Sequence, residues 1–325
     1  MEPSSQADHT GATMPGERSY RQHLVPRGRH RLYAREYPGL GPAVVLLHGF
    51  PDDLHLYDRL VPELAGRRVV SFDFLGWGAS DKPAGHSYTA ANQTGDLAAV
   101  LEHLQLGPVV LVAHDASGPP AIDWALDHPE RVAGLVLLNT YYSRMPELRA
   151  PEAIWLFSTP VLRWVARPVS RLFGDLVFGR MYRWQVGRFF RDPEVRAEFL
   201  PRLYRQFTTT PSAHEAFFGL NRDLRHALAS GTAKLPRLRR FDRPVRIVFG
   251  AADPYLNARV ARRFHQLFPA SELVLVPGAR HYVQMDAPGE VARQILLVLE
   301  HLAMFPLMFL VMLRRRAEYG GPAHG

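Results

Sequence analysis

The sequence predicts an α/β fold, a mostly parallel sheet flanked by helices, and three observations point to it. Short apolar runs rich in Val, Leu and Ile recur along the chain, stretches with helical spacing separate them, and polar or glycine-bearing loops follow the runs. The runs are Ala43–His48, Arg68–Phe74, Pro108–His114, Val132–Asn139, Val245–Gly250 and Glu272–Pro277. They are apolar without alternating, as strands buried on both faces must be. Helices are expected over Ala90–Leu104, Pro119–Leu126, Leu256–Leu267 and Val291–Leu302. Strand followed by helix, repeated, places helices on both faces of one sheet.

Between Tyr141 and about Arg240 the rhythm changes. No strand pattern is visible, aromatics and arginines are frequent, and prolines stand at 146, 151, 160, 168, 193, 201, 211 and 236. Proline interrupts helices, so this block reads as a set of short helices lying over the sheet. The expected organisation is a core over residues 20–140 and 241–303, with a helical insertion, a cap, over 141–240.

The ends differ from the body. Residues 1–19 are small and polar, without an apolar core, and read as a flexible tail rather than a secretory signal. Residues 304–325 form an apolar then basic tail. The run Leu302–Leu313 (LAMFPLMFLVML), followed by Arg314, Arg315 and Arg316, is shorter than the roughly 18 residues of a membrane span. It is expected to continue the last core helix, with a weak membrane-surface or partner contact through 302–316 as its other use.

Composition narrows the function classes. With 325 residues, 47% of them hydrophobic, the chain can bury a large core. There is no cysteine, which removes disulfides, thiolate nucleophiles and thiolate metal sites, and which fits a reducing compartment; a cytoplasmic protein is the expectation. The formal net charge of +8 comes almost wholly from scattered arginines, and no nucleic-acid motif accompanies them, so no nucleic-acid partner is expected.

Three loops carry the chemistry. In Val112-Ala113-His114-Asp115-Ala116-Ser117-Gly118 a buried strand runs directly into a helix, and small residues flank Asp115 two positions away on either side. A nucleophile on a sharp strand-to-helix turn needs such small neighbours, and backbone N–H groups at the helix start face its side chain. The plainer reading of Asp115 is a helix N-cap. His48-Gly49-Phe50-Pro51 follows the first core strand, where the Phe50 N–H can pair with that of Ala116 as an oxyanion hole. The loop Phe74-Leu75-Gly76-Trp77-Gly78-Ala79-Ser80 lacks the lysine and the glycine spacing of a phosphate loop and reads as a close backbone turn. Late in the chain, Gly250-Ala251-Ala252-Asp253-Pro254 and Gly278-Ala279-Arg280-His281 each put a polar residue beyond a strand's carboxyl end. Asp115, Asp253 and His281 thus follow the order nucleophile, acid, histidine.

From about Tyr20 to Leu302 the chain resembles the α/β-hydrolase superfamily, in its epoxide hydrolase and haloalkane dehalogenase branch. The resemblance rests on HGFP at 48–51, DFLGWGASDKP at 73–83, His114-Asp115, and the loops of Asp253 and His281. It implies a hydrolase fold with a helical cap over residues 141–240 and a site between cap and sheet. An elbow aspartate implies displacement at a saturated carbon, giving an alkyl ester on Asp115 that a water activated by His281 hydrolyses. Asp253 would orient the imidazole, and neither a metal nor an organic cofactor would be needed. The expected partners are a small hydrophobic substrate and water.

Dehalogenases of this branch place Trp directly after the nucleophile, and many have Asn after the HG pair. This chain has Ala116 and Phe50 there, which favours an epoxide over a carbon–halogen bond. Epoxide opening needs an acid, for which Tyr204 leads, with Tyr182, Tyr141 and Tyr142 behind it; Trp155, Trp164 and Trp184 are candidate indole donors. Gly219-Leu220-Asn221-Arg222-Asp223 resembles the family's G-L-N-W-Y stretch, with Asp223 in place of its tyrosine. Two further readings stand beside these: a non-catalytic ligand-binding protein of the same fold, and an esterase using Ser117.

Overall fold

The computed structural model describes residues 18–208 and 212–302. The expected N-terminal tail up to residue 17 and the apolar-basic segment after Leu302 lie outside the described residues.

The central runs form the strands that their composition demands. In chain order these are β3 (Leu40–Leu47), β4 (Arg67–Phe72), β5 (Val109–Asp115), β6 (Val132–Thr140), β7 (Val245–Gly250) and β8 (Ser271–Val276), all parallel to one another. Every residue of β5 and β6 is buried, which accounts for their unbroken hydrophobicity. Two strands that carried no apolar run precede them. β1 (Arg21–Arg27) and β2 (His30–Tyr37) form an antiparallel hairpin turned at Gly28, whose φ of 60° suits glycine, and β2 then pairs antiparallel with β4. At this edge only Val25 of β1 is buried, so the strand looks polar in sequence.

The strand order is β1-β2-β4-β3-β5-β6-β7-β8. The chain leaves β3 toward one edge to make β4, then crosses back to make β5 on the other side of β3. Such a reversal opens a crevice at the carboxyl ends of the strands. The loops after β3 and β5 meet there.

Helices α1 (Ala90–His103) and α2 (Gly118–Asp127) pack on the sheet side by side. Thr89 caps α1 by accepting the Asn92 N–H at 3.2 Å. Helix α7 (Ala258–Leu267) buries Val260, Ala261, Phe264 and Leu267, an i, i+1, i+4, i+7 stripe. After α8 (Val283–Asp286), the last described helix covers residues 288–302.

Between β6 and β7 the chain forms α3 (Glu152–Ser158), α4 (Pro160–Gly187), α5 (Pro193–Arg205) and α6 (Ala213–Leu238). The insertion is helical, but the expectation of short helices fails for α4 and α6, of 28 and 26 residues. Pro160 and Pro193 sit in first turns, where no N–H is required, and Pro236 falls in a last turn. Counting prolines without their positions overstated their breaking effect. The insertion's inner side is dense with aromatic rings: Phe178 meets Phe207 and Phe217, and Tyr182 meets Tyr204 and Phe207.

Candidate active site

Asp115 is the last residue of β5 and has φ of 49°, a left-handed conformation that a non-glycine residue adopts only under constraint. It does not cap α2, whose N-cap position is Ser117. The turn is held from below. The Ser117 hydroxyl, fully buried, lies 2.8 Å from the carbonyl oxygens of Leu47 and His114 and accepts the His114 N–H at 2.9 Å. Ser117 therefore ties β3 to β5 and faces away from the crevice. Gly49 permits the close approach of the two loops: a Cβ there would lie 2.7 Å from His114 Nδ1 and 2.8 Å from Asp115 Cβ.

The Phe50 N–H donates to Asp115 Oδ2 at 3.1 Å, and the Ala116 N–H also faces the carboxylate. Burial pushes the Asp115 carboxyl above its usual range; His281 and the two N–H groups pull it back. The pair of donors proposed from sequence is thus in place around a carboxylate oxygen.

His281 Nδ1–H donates to Asp253 Oδ2 at 2.8 Å, which leaves Nε2 for the cavity. Asp253 is held on every side. Its Oδ1 accepts the N–H groups of Tyr255 (2.8 Å) and Leu256 (3.2 Å), and its Oδ2 accepts the Asn139 amide at 2.9 Å. Burial acts against the charged carboxylate, yet His281 and these hydrogen bonds hold its pKa below the ordinary value. Burial likewise opposes a charged His281, but Asp253, Asp115 and Asp52 outweigh it and raise the imidazole to about 9.

Asp115 and His281 line one cavity with about 730 Å³ of empty space, part of it open to solvent. The sheet loops supply its floor with Phe50 and Ala116; its walls are Tyr141, Leu148, Ile154, Phe189, Leu220 and Leu224. The other side-chain candidates divide. Tyr141 lines this cavity, and burial together with the charges of Asp115 and Asp223 keeps its phenol protonated. Tyr182 lines an adjoining cavity instead and gives its hydroxyl to the Pro51 carbonyl at 3.1 Å. Tyr204 is buried against Tyr182, beneath the Arg183 guanidinium, away from Asp115's cavity. Tyr142 donates to Asp123 at 2.7 Å. Trp155 is 59% exposed, and Trp164 and Trp184 also face outward. Asp223 accepts the Ala90 N–H at 3.0 Å, at the start of α1.

Two residues at the site carried no sequence signal. Asn139, with φ of 27°, bridges Asp253 and the Gly250 N–H, which it accepts at 2.7 Å. Asp52 is fully buried; its Oδ1 accepts the Tyr282 hydroxyl at 2.6 Å, its Oδ2 has no partner, and burial raises it to about 7. Only the step from Phe50 to the next acid in the same loop could have pointed to it.

A carboxylate, an imidazole and a second carboxylate thus meet at three strand ends, with two backbone donors beside the first. The chain belongs to the α/β-hydrolase fold family, whose pattern matches residues 42–288. It is similar to the LipZ protein of Mycobacterium tuberculosis, at 29% identity over 296 residues, covering 88% of this chain and 99% of that one. It is also similar to a haloalkane dehalogenase of Mycobacterium marinum, 29% identical over 81% of this chain and 86% of that one. Among solved structures, the haloalkane dehalogenase DatA of Agrobacterium tumefaciens shares the fold with a TM-score of 0.73 at 21% identity, covering 87% and 97% of the two chains.

Proposed function

We propose that this hydrolase opens epoxides through an ester on Asp115, with Tyr141 as the acid. The observation that carries the reading is the seating of the Asp115 carboxylate. It stands on a strained turn at the cavity floor, with Oδ2 held by the Phe50 N–H and His281 beside it. A carboxylate so placed suits attack on a saturated carbon, whereas the family's serine chemistry has no available hydroxyl here.

In the first step Asp115 Oδ1 bonds to an epoxide carbon as that carbon's bond to the ring oxygen breaks. The ring oxygen takes the Tyr141 proton. Esterification removes the Asp115 charge, one of those that raise His281 to about 9, so the imidazolium loses its proton and Tyr141 regains one through solvent. Neutral His281 then takes a proton from water as the hydroxide adds to the Asp115 carbonyl carbon. The Phe50 and Ala116 N–H groups hold the oxyanion. Collapse breaks the acyl–oxygen bond, the acid proton passes to the departing alkoxide, and a vicinal diol leaves.

The choice of leaving group is supported by the wall. Tyr141, a phenol, lines the cavity, and the Asp115 charge acts on it, while no tryptophan lines the cavity among the described residues. Carbon–halogen cleavage is the second reading, favoured by the relatives named haloalkane dehalogenases.

The test is intact-protein mass of the His281→Gln variant after exposure to epoxides and to haloalkanes. An adduct equal to the whole epoxide, mapped to Asp115 and missing in Asp115→Asn, is the expected result. Halide release with an alkyl adduct would move the assignment to dehalogenation. No adduct with any member of either class, beside tight binding, would replace the enzyme by a ligand-binding protein.

A further inference from the structure

The exposed surface of α3 and α4 is unlike the rest of the molecule's surface. Nine large apolar side chains are exposed among the described residues, and seven of them fall within residues 155–184: Trp155, Val161, Trp164, Val165, Leu176, Val177 and Trp184. Trp164 and Val161 are 81% and 77% exposed. A concentration of this kind on one helical pair marks a contact surface rather than scatter, since isolated exposed apolar residues are ordinary and clustered ones are not.

Among the described side chains, the charged residues between and beside them are arginines. Arg180 and Arg183 are exposed on α4, and the Arg188 guanidinium stacks 4.9 Å over the Trp184 ring. Among the described side chains of these two helices the one acid is Glu152, already paired with Arg188 and accepting the Tyr255 hydroxyl. Tryptophan and arginine side by side suit a phospholipid headgroup layer: the indole is apolar with one donor, and the arginine stem lies along apolar matter while its head meets phosphate. The chain's net charge of +8 adds attraction to an anionic surface. No described helix is long and apolar enough to cross a membrane, so the geometry is that of a helix lying in the interface.

The same helix has a second face. Phe178, Tyr182, Gln185 and Val186 of α4 turn inward and line a small apolar cavity, which adjoins the one over Asp115 through Phe50, Pro151, Ile154 and Phe189. On α4, Arg180 and Trp184 lie across the helix axis from Phe178 and Tyr182, so one helix thickness separates that part of the surface from the space.

We propose that the α3–α4 face docks on anionic phospholipid bilayers, with Trp155, Trp164 and Trp184 in the headgroup layer and Arg180 and Arg183 on the phosphates. Docking there brings the helices that wall the two cavities next to the phase in which apolar molecules dissolve. The surface is independent of the chemistry assigned to Asp115.

Flotation of the full chain with phosphatidylcholine vesicles, with and without phosphatidylglycerol, tests this directly. The expected result is co-flotation with the anionic vesicles, weakened by salt. It should fall by about tenfold or more in a Trp155→Ser, Trp164→Ser, Trp184→Ser variant. Arg180→Glu with Arg183→Glu should abolish the preference for phosphatidylglycerol. Trp77 and Trp124 are buried, so a blue shift of indole emission on vesicle addition reports the three exposed rings. All substituted side chains are exposed, and circular dichroism checks that the variants fold. The proposal is overturned if wild type stays in solution with both vesicles, or if the triple variant floats as wild type does. Flotation without a blue shift overturns it too. So does sedimentation showing that the triple substitution splits a dimer while neither protein floats, which would make a second copy the occupant.

Discussion

Replacing Asp52 by asparagine is expected to stabilise the fold above neutral pH and to leave it little changed in acid. Asp52 is fully buried, and burial raises its carboxyl to about 7 from an ordinary 3.8. Between those two values the folded chain keeps a proton that the unfolded chain has released. Wild-type stability therefore falls as pH rises through this window, by about 1.4 kcal/mol per unit, and is level above it. Roughly three units give about 4 kcal/mol at neutral pH as the upper bound. Two terms reduce it: the Asp52 charge also supports imidazolium at His281, and the new amide N–H₂ replaces an oxygen without a partner in a buried place. An unsatisfied donor costs about 1–3 kcal/mol, so a net gain of about 1–3 kcal/mol is expected. The Tyr282 hydroxyl keeps its acceptor. Urea unfolding of both proteins at about pH 5 and about pH 8 measures it, with the gain appearing mainly at the higher pH. An equal loss of stability at both pH values would refute the reasoning, because it would mean that the native state relies on an ionised Asp52 beside His281.

Three further outcomes follow from the same contacts. Tyr141→Phe should lower kcat for epoxide opening by about a hundred- to ten-thousand-fold while binding persists, and steady-state kinetics that show an unchanged kcat would remove Tyr141 as the acid. Asn139→Ala removes the bonds to Asp253 and Gly250 and should cost about 2–4 kcal/mol in denaturant unfolding; a loss under 0.5 kcal/mol would show that water replaces them. Asp253→Asn takes away the largest force raising His281, so the imidazole should titrate well below about 9 by NMR, and an unmoved titration would assign the elevation to Asp115 and Asp52.

Much of the core was legible because burial on both faces leaves a composition that nothing else produces. Val109–Asp115 and Val132–Thr140 read as strands from apolarity alone. The hairpin of β1 and β2 was not, since its residues face water along one side and the run contains arginine, histidine and proline. At the site, residues at strand ends were legible in the same way: Phe50, Asp115 and Asp253 end or follow buried strands, and His281 follows β8, an edge strand that is only partly buried. The ranking of the tyrosines was not, because whether Tyr182 and Tyr204 point into the cavity depends on how α4 and α5 pack, whereas Tyr141 stands one position past β6 and carries the strand-end signal. Asn139 and Asp52 were invisible for another reason: each works through a partner more than a hundred positions away in the chain.

The hydrogen-bonded pairing of β6 with β7, in which Leu138 stands opposite Val248, has a consequence for how such a molecule can diversify. All of α3 to α6 departs from one strand and returns to its immediate neighbour, so the whole excursion hangs on two adjoining hinges. Its length and sequence can be exchanged without altering the spacing of the sheet beneath. Asp115, Asp253 and His281 stay with the scaffold, while Leu148, Ile154, Phe189 and Leu220 of the cavity wall belong to the exchangeable part.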